Sequence, residues 1–501
     1  MRVARFQPVV IFLLLATALI TAAWALNLRG YSSASDLDLW GRALLANSGL
    51  LSLEDIVTAY PPLPYIGTIA FSAIAPGLGE TTPFVFSALL AAGLPVAWFV
   101  KLRGFGYGLF TSLFIVLVMV LNPQFLRAVA EGPGFMLLHW GIWLLALGMF
   151  NLRRGHRVND IILVSLALIL ISLSHPFGMV LAFASLPFIA LVIPPDQLRA
   201  SPREVFLVLL FPLLFTLASF AYVNWVFAGD PLHFIATVSR ETAGLGAVSA
   251  APRGVPFLTG MLAALAVIAA CPIGIALLVQ TRRLPPISFA VTALLGTLVA
   301  ASLLAALLDV LPSIMLVGGL GVTLGVACAS RWPRNPARNS TIAMLLFGGM
   351  MGSIVVTLAD SSQETGRWLS AIAGNQVVAP DTELAGLGYA LEGYDGILFD
   401  AEAAPSVVAL RGEATGMWTA DTTQFQFAGL QSIPKANIVV VRGSDSGYGV
   451  DRVGRIFLIF SNEARLATIC CLMGNAGGHM SAGTRNQNEH VQITLTYSCC
   501  R

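Results

Sequence analysis

Few residues in this chain can do chemistry, and the most suggestive lie in two short polar stretches. The first, RGYSSASDLDLWGRALLANSGLLSLEDIVTAYPPLPY (29–65), carries Asp36 and Asp38. The second, NPQFLRAVAEGPGF (122–135), carries Arg127 and Glu131 four residues apart. Carboxylates brought together by folding can act as a general base, or hold a divalent metal such as Mg or Mn through oxygen ligands. Asp38, Asp36 and Glu131 are the expected catalytic set and the expected ligands of any such metal. Asp38 is the first choice as base and Asp36 the second. A plainer alternative stands beside this one. Ser35 and Asp38 have the spacing of a helix capping box, with Asp in place of Glu or Gln, and Asp38 and Arg42 have the spacing of a pair along a helix surface.

Other polar groups are candidates for binding substrate. Tyr60 opens Tyr60-Pro61-Pro62-Leu63, and His175 sits in Ser-His-Pro-Phe between two apolar runs. A histidine there is either a cap or packing residue, or a functional group near membrane depth. Arg127, Arg240 and Arg367 carry guanidiniums suited to a phosphate, and are otherwise simply solvated. No GxSxG, Walker loop, HExxH or dinucleotide fingerprint occurs in a supporting context. No basic patch interleaved with aromatics points to nucleic acid. Cys271 and Cys328 read as small packing residues inside apolar spans.

The elements that must position these residues are apolar helices. The chain has 501 residues, is 56% hydrophobic and only 11% charged, against about 25% charged in soluble domains. Its long apolar runs predict an all-α polytopic membrane protein. Eleven spans are expected, at 8–28, 83–101, 108–123, 134–150, 158–173, 177–193, 204–228, 257–280, 286–307, 311–330 and 341–358. The first is read as an uncleaved span. With this count, the basic loops at 101–103, 153–157, 199–203, 282–283 and 331–338 all fall on the side of the N-terminus, as the positive-inside rule requires. That places the N-terminus in the cytoplasm, in the inner membrane of a cell. Residues 63–79 are then an interfacial helix in the first outer loop, not a crossing. The opposite face holds 29–82, 122–133, the break at 174–176, and 229–256.

Composition changes at about Asp360. Residues 1–359 form the transmembrane domain, and 360–501 a small extracytoplasmic α/β domain with strands at NIVVVRG and RIFLIF. The stretch 462–501 holds four of the six Cys and loses periodicity. It is either a disordered, atypical tail or a Cys-linked fold of an oxidising compartment.

Taken in order, these features resemble the GT-C superfamily of integral-membrane glycosyltransferases, which includes the protein mannosyltransferase and aminoarabinose transferase families. The resemblance covers about residues 1–360. It rests on Asp36 and Asp38, on Tyr60-Pro61-Pro62-Leu63, on Lys101-Leu-Arg103-Gly104, and on Arg127 with Glu131; NWVFAGDPLHF (224–234) also looks like an outer loop of many members. It implies transfer of a sugar from a polyprenyl-phosphate donor to a glycan, lipid or protein acceptor on the extracytoplasmic side. Asp36 or Asp38 would be the acidic residue of the first outer loop, acting as base or helping to bind metal, and Glu131 the second acid. The chain departs from the pattern in having D-L-D for the frequent D-E pair, and Glu-Gly-Pro-Gly for Asp-Met. Two rival classes remain: a transporter or flippase of lipid-linked glycans, for which Asp309 is the clearest charge within a span, and a non-catalytic cell-envelope assembly protein.

Overall fold

The computed structural model describes residues 3–51, 53–155, 158–194, 199, 202–234, 255–281, 285–334, 337–380, 382–393, 397–399, 405–419, 438–442, 467–468 and 491–495. Among them, six helices are long and apolar enough to cross a membrane, or eight if two bent pairs each count once. This is the make-up of an all-α, multi-pass membrane protein. The long helices are α1 (Val3–Asn27), α5 (Thr82–Gly104), α8 (Pro133–Gly155), α11 (Pro202–Ala228), α14 (Pro285–Leu307) and α16 (Arg338–Ala359).

Two prolines turn the chain, one inside the expected span 257–280 and one at the end of 108–123. α6 (Leu109–Val120) meets α7 (Pro123–Glu131) at 60°, and α12 (Pro256–Ala270) meets α13 (Pro272–Gln280) at 71°. Pro123 and Pro272 each open the second half. A proline there has no N–H to donate, and its ring clashes with the preceding turn. Residues 122–131, expected as loop, are therefore largely the helix α7.

Three shorter apolar helices, α9 (Val158–Ser174), α10 (Pro176–Val192) and α15 (Ile314–Ser330), have 17 residues each. α15 is the axis of the bundle, buried from Met315 to Ser330. Its glycines let neighbours approach closely: a Cβ added at Gly318 would meet the Gln124 side-chain amide at 2.5 Å. Asp309 does not lie inside a span. It is exposed in the turn after α14, with φ 56°.

Between α1 and α5 the first loop folds as α2 (Ala34–Asn47), α3 (Leu53–Thr58), α4 (Pro62–Ile74) and a 3-10 stretch at Pro76–Thr81. α4 has 13 residues, about 20 Å of rise, too short for ~30 Å of hydrocarbon. Beyond α16 come α17 (Gln363–Ile372), α18 (Thr382–Ala390) and α19 (Pro405–Arg411). Five short strands follow or alternate with them: β1 (Ile397–Phe399), β2 (Met417–Thr419), β3 (Ile438–Arg442), β4 (Ala467–Thr468) and β5 (Val491–Leu495). All four pairings are parallel, in the order β2-β1-β3-β5-β4. β3 falls on NIVVVRG; RIFLIF lies outside the described residues, as do the four Cys of the tail.

α2 sits between this C-terminal segment and the bundle. Its apolar face, Leu37, Trp40 and Ala43 with Leu44 beside them, packs on Ala409 and Leu410 of α19. Gly41 allows the contact, because a Cβ there would fall 1.8 Å from the Pro405 carbonyl oxygen.

Candidate functional site

α2 begins two residues before the Ser35–Asp38 spacing predicts. Its N-cap is Ser33, whose hydroxyl accepts from the Asp36 N–H at 3.0 Å and donates to the Glu131 carbonyl at 2.8 Å. Ser33 thus ties the start of α2 to the end of α7. Asp36 takes the third helical position, where a capping-box acid would bond back to the cap. It does not: neither carboxyl oxygen has a hydrogen-bond partner among the described residues, although Asp36 is only 2% exposed. Capping therefore leaves the Asp36 side chain unexplained. That side chain lies against Gly132, the residue between α7 and α8. A Cβ on Gly132 would sit 2.7 Å from Asp36 Oδ1, and its φ of 128° is one that other residues rarely adopt.

Around Asp36 lies a buried charged cluster. Arg127 pairs with Glu131 at 2.6 Å, both almost completely buried. From beyond the last long helix, α17 adds Glu364, fully buried and paired with Arg367 at 2.9 Å. Arg367 donates to the carbonyls of Val378 and Ser32 and lies 5.3 Å over the ring of Tyr31, itself fully buried with its hydroxyl unpartnered among the described residues. Trp368 and Ala371 dock α17 against Tyr31, Phe84 and Met315.

The cluster holds three carboxyls and two guanidiniums. Arg127 and Arg367 neutralise Glu131 and Glu364, which leaves Asp36 as the odd acid. Burial pushes its carboxyl well above the usual carboxylate range, and the neighbouring Glu131 charge adds to this; the Arg127 charge opposes it. Burial likewise raises Glu364, against the pull of Arg367 and Arg127, and raises the Tyr31 phenol. Arg127 Nε and Nη1 and Arg367 Nη2 are further donors without partners among the described residues. Chemically, this is a carboxyl beside guanidinium N–H groups able to meet an anion.

The remaining expected residues fall elsewhere. Asp38, two residues along α2, is turned about 200° from Asp36 and pairs with Arg42 at 2.8 Å, as the spacing predicts. Arg42 in turn lies 5.4 Å over the Tyr65 ring. Asp38 is thus held by Arg42, away from the cluster around Asp36. Tyr60 is buried and donates to the Ser172 carbonyl at 2.6 Å, packed on Phe220 and Phe234. His175 caps α10: its Nδ1 accepts from the Phe177 N–H at 3.1 Å, and its ring packs on Phe135. Arg240 lies outside the described residues. No group of three or more His, Cys, Asp or Glu among the described residues could hold a metal ion. The expected metal set of Asp36, Asp38 and Glu131 does not converge, and Glu131 is already paired with Arg127.

Two features escaped the sequence reading. One is Glu364 with Tyr31; its only signal was an acid in the first turn after the last span. The other is a polar network at the α6–α7 bend. Asn122 Nδ2 donates to Ser353 Oγ at 2.8 Å, Ser353 donates to Gln124 Oε1 at 3.1 Å, and His139 Nδ1 meets Thr323 Oγ1 at 2.7 Å. An apolar groove of about 320 Å³ also lies between α9 and α11, lined by Ile162, Leu166, Leu207 and Phe211. It occupies the half of α9 nearer Val158 and does not adjoin the cluster. Neither a protein-family model nor a curated protein matches the chain.

Proposed function

We propose that this protein is a membrane glycosyltransferase of GT-C type. It would move a sugar from a polyprenyl-phosphate donor to a glycan, lipid or protein acceptor on the extracytoplasmic side. One observation carries the reading: Asp36, the unpartnered carboxyl of the first loop, shares a buried cluster with Arg127–Glu131 and Glu364–Arg367. Asp36 would take the proton from the acceptor hydroxyl as it attacks the anomeric carbon. The guanidiniums of Arg127 and Arg367, with donors to spare, would stabilise the departing lipid phosphate. Residues 363–380 are tied to the first loop by the bonds of Arg29 Nη1 to the Ala371 carbonyl and of the Val377 N–H to the Arg29 carbonyl, which holds Arg367 in the cluster.

In the same reading, both bent pairs and the three 17-residue helices are crossings, which restores eleven spans. The N-terminus is then cytoplasmic, α4 lies in the outer interface, and 360–501 is an extracytoplasmic α/β domain. The test is transfer from a panel of radiolabelled polyprenyl-phosphate sugars to membrane acceptors. Transfer that disappears in Asp36→Asn supports the reading; no transfer from any donor, or full transfer in that variant, rejects it. Transport of a lipid-linked glycan is the second reading, favoured by the polar network at Asn122, Gln124 and His139 within the bundle. Movement of donor across a vesicle bilayer without transfer would select it.

A further inference from the structure

The opposite end of the bundle carries a second charged site, independent of the chemistry assigned to Asp36. Four helices join the two ends. α5 starts beside Tyr31 at Phe84 and ends at Lys101 and Arg103. α15 starts at Met315 and ends at Arg331, α16 runs back from Arg338 to Asp360, and α8 brings Asn151 to the Arg331 guanidinium. Five cations therefore meet around the short turn Phe105-Gly106-Tyr107-Gly108.

Arg331 lies 4.6 Å over the Phe105 ring and 5.4 Å over Phe150. Lys101 lies 5.5 Å over Phe105, and Arg338 4.0 Å over Tyr107. Arg103 donates to the Tyr107 carbonyl, Arg334 to the Phe105 carbonyl and Arg338 to the Gly106 carbonyl. The Tyr107 hydroxyl donates to the Ala329 carbonyl at 2.5 Å, fixing the turn to the end of α15.

Basic residues at a membrane boundary ordinarily set topology and are otherwise solvated. Lys101, Arg103, Arg334 and Arg338 differ in being gathered on one turn by ring faces and carbonyls. Among the described residues, Lys101, Arg103, Arg334 and Arg338 form no ion pair with a carboxylate, and only Asp160 acts on Lys101 from a distance. Like charges so placed repel one another unless an anion joins them. A guanidinium has five N–H donors, and Arg334 and Arg338 each use one nitrogen on a carbonyl, so both retain donors for phosphate oxygens. The surface beside them is apolar. α6 leaves the turn with Phe110 and Phe114 exposed, and α16, packed on α6, leaves Arg338 with Met344 and Phe347 exposed. Charge at the helix ends with exposed apolar side chains running away from it fits a diacyl lipid better than a free anion.

We propose that this turn binds the headgroup phosphate of an anionic phospholipid, with its acyl chains lying along α6 and α16. On the orientation proposed above, the lipid belongs to the cytoplasmic leaflet, where anionic headgroups attract clustered Lys and Arg. The test uses the full chain in a neutral detergent, with phosphatidylglycerol, phosphatidylcholine or inorganic phosphate added. Melting temperature and lipid retained in native mass spectra are the readouts. Phosphatidylglycerol is expected to be retained and to raise the melting temperature, while phosphatidylcholine and phosphate do neither. Arg334→Gln/Arg338→Gln should weaken retention roughly thirtyfold, for two charges near the surface. Arg203→Gln, an exposed arginine outside the patch, should leave it unchanged. If the double variant does not fold, salt at about 0.5 M should weaken phosphatidylglycerol retention by the wild-type chain through screening. Equal retention of both lipids, retention unaffected by the double variant or by salt, or a response reproduced by phosphate alone would overturn the proposal.

Discussion

Asp36→Asn keeps the shape of a buried side chain while removing its capacity for charge. In the native protein, burial and the Glu131 charge raise the Asp36 carboxyl above its ordinary range. In the unfolded chain it titrates near pH ~3.9. The native state therefore binds this proton more tightly than the unfolded state does. Its stabilising effect is complete below about pH 4 and is lost as pH rises through the native pKa, at about 1.4 kcal/mol per pH unit inside that window. Asparagine has no such loss. The variant should match the wild type at about pH 4 and become progressively more stable above it, while losing the proposed transfer. Thermal unfolding in detergent, followed by the fluorescence of the nine tryptophans, measures the difference across pH. A difference that stays flat, or a variant that falls behind as pH rises, would mean that the Asp36 anion is stabilised by contacts the structure does not contain.

Three further outcomes follow from the same geometry. Asp38→Asn should cost only about 0.3–0.5 kcal/mol, the worth of an i,i+4 pair on a helix, with transfer retained; a large loss would put Asp38 back at the centre. Arg127→Met leaves Glu131 buried beside two other acids and should cost about 3–5 kcal/mol by melting, much of it recovered in Arg127→Met/Glu131→Leu. A double variant no better than the single one would show that the two residues are not coupled. Gly132→Ala forces a Cβ to 2.7 Å from Asp36 Oδ1 at a φ of 128° and should cost about 1–3 kcal/mol. An unchanged melting temperature would mean that the α7–α8 joint relaxes without strain.

The helical membrane class was legible from composition alone. The pairing of Asp38 with Arg42 was legible from spacing. Spacing put Asp38 ahead of Asp36 as base, although it shows only that a step of two along a helix turns them to different sides. Which side meets Glu131 depends on where the helix starts, and two nearby serines could each cap it; Ser33 does so because its hydroxyl also reaches the Glu131 carbonyl. Hydropathy read 257–280 as continuous, since Pro272 costs an average little while breaking the helix, and left 122–133 as loop, where Pro123 opens α7. Glu364 was invisible for a different reason. It lies more than 300 residues from Asp36, and only the docking of Trp368 beneath the first loop brings it back.

The central claim is that Asp36, and not Asp38, is the working carboxylate. The most direct measurement compares sugar transfer from the radiolabelled polyprenyl-phosphate panel by wild type, Asp36→Asn and Asp38→Asn in the same membranes, at matched amounts of folded protein. Loss of a positioned acid–base group predicts a fall of about 10²–10⁴-fold for Asp36→Asn, with Asp38→Asn within a few-fold of wild type. The reverse ranking, or equal activity in all three, would contradict it.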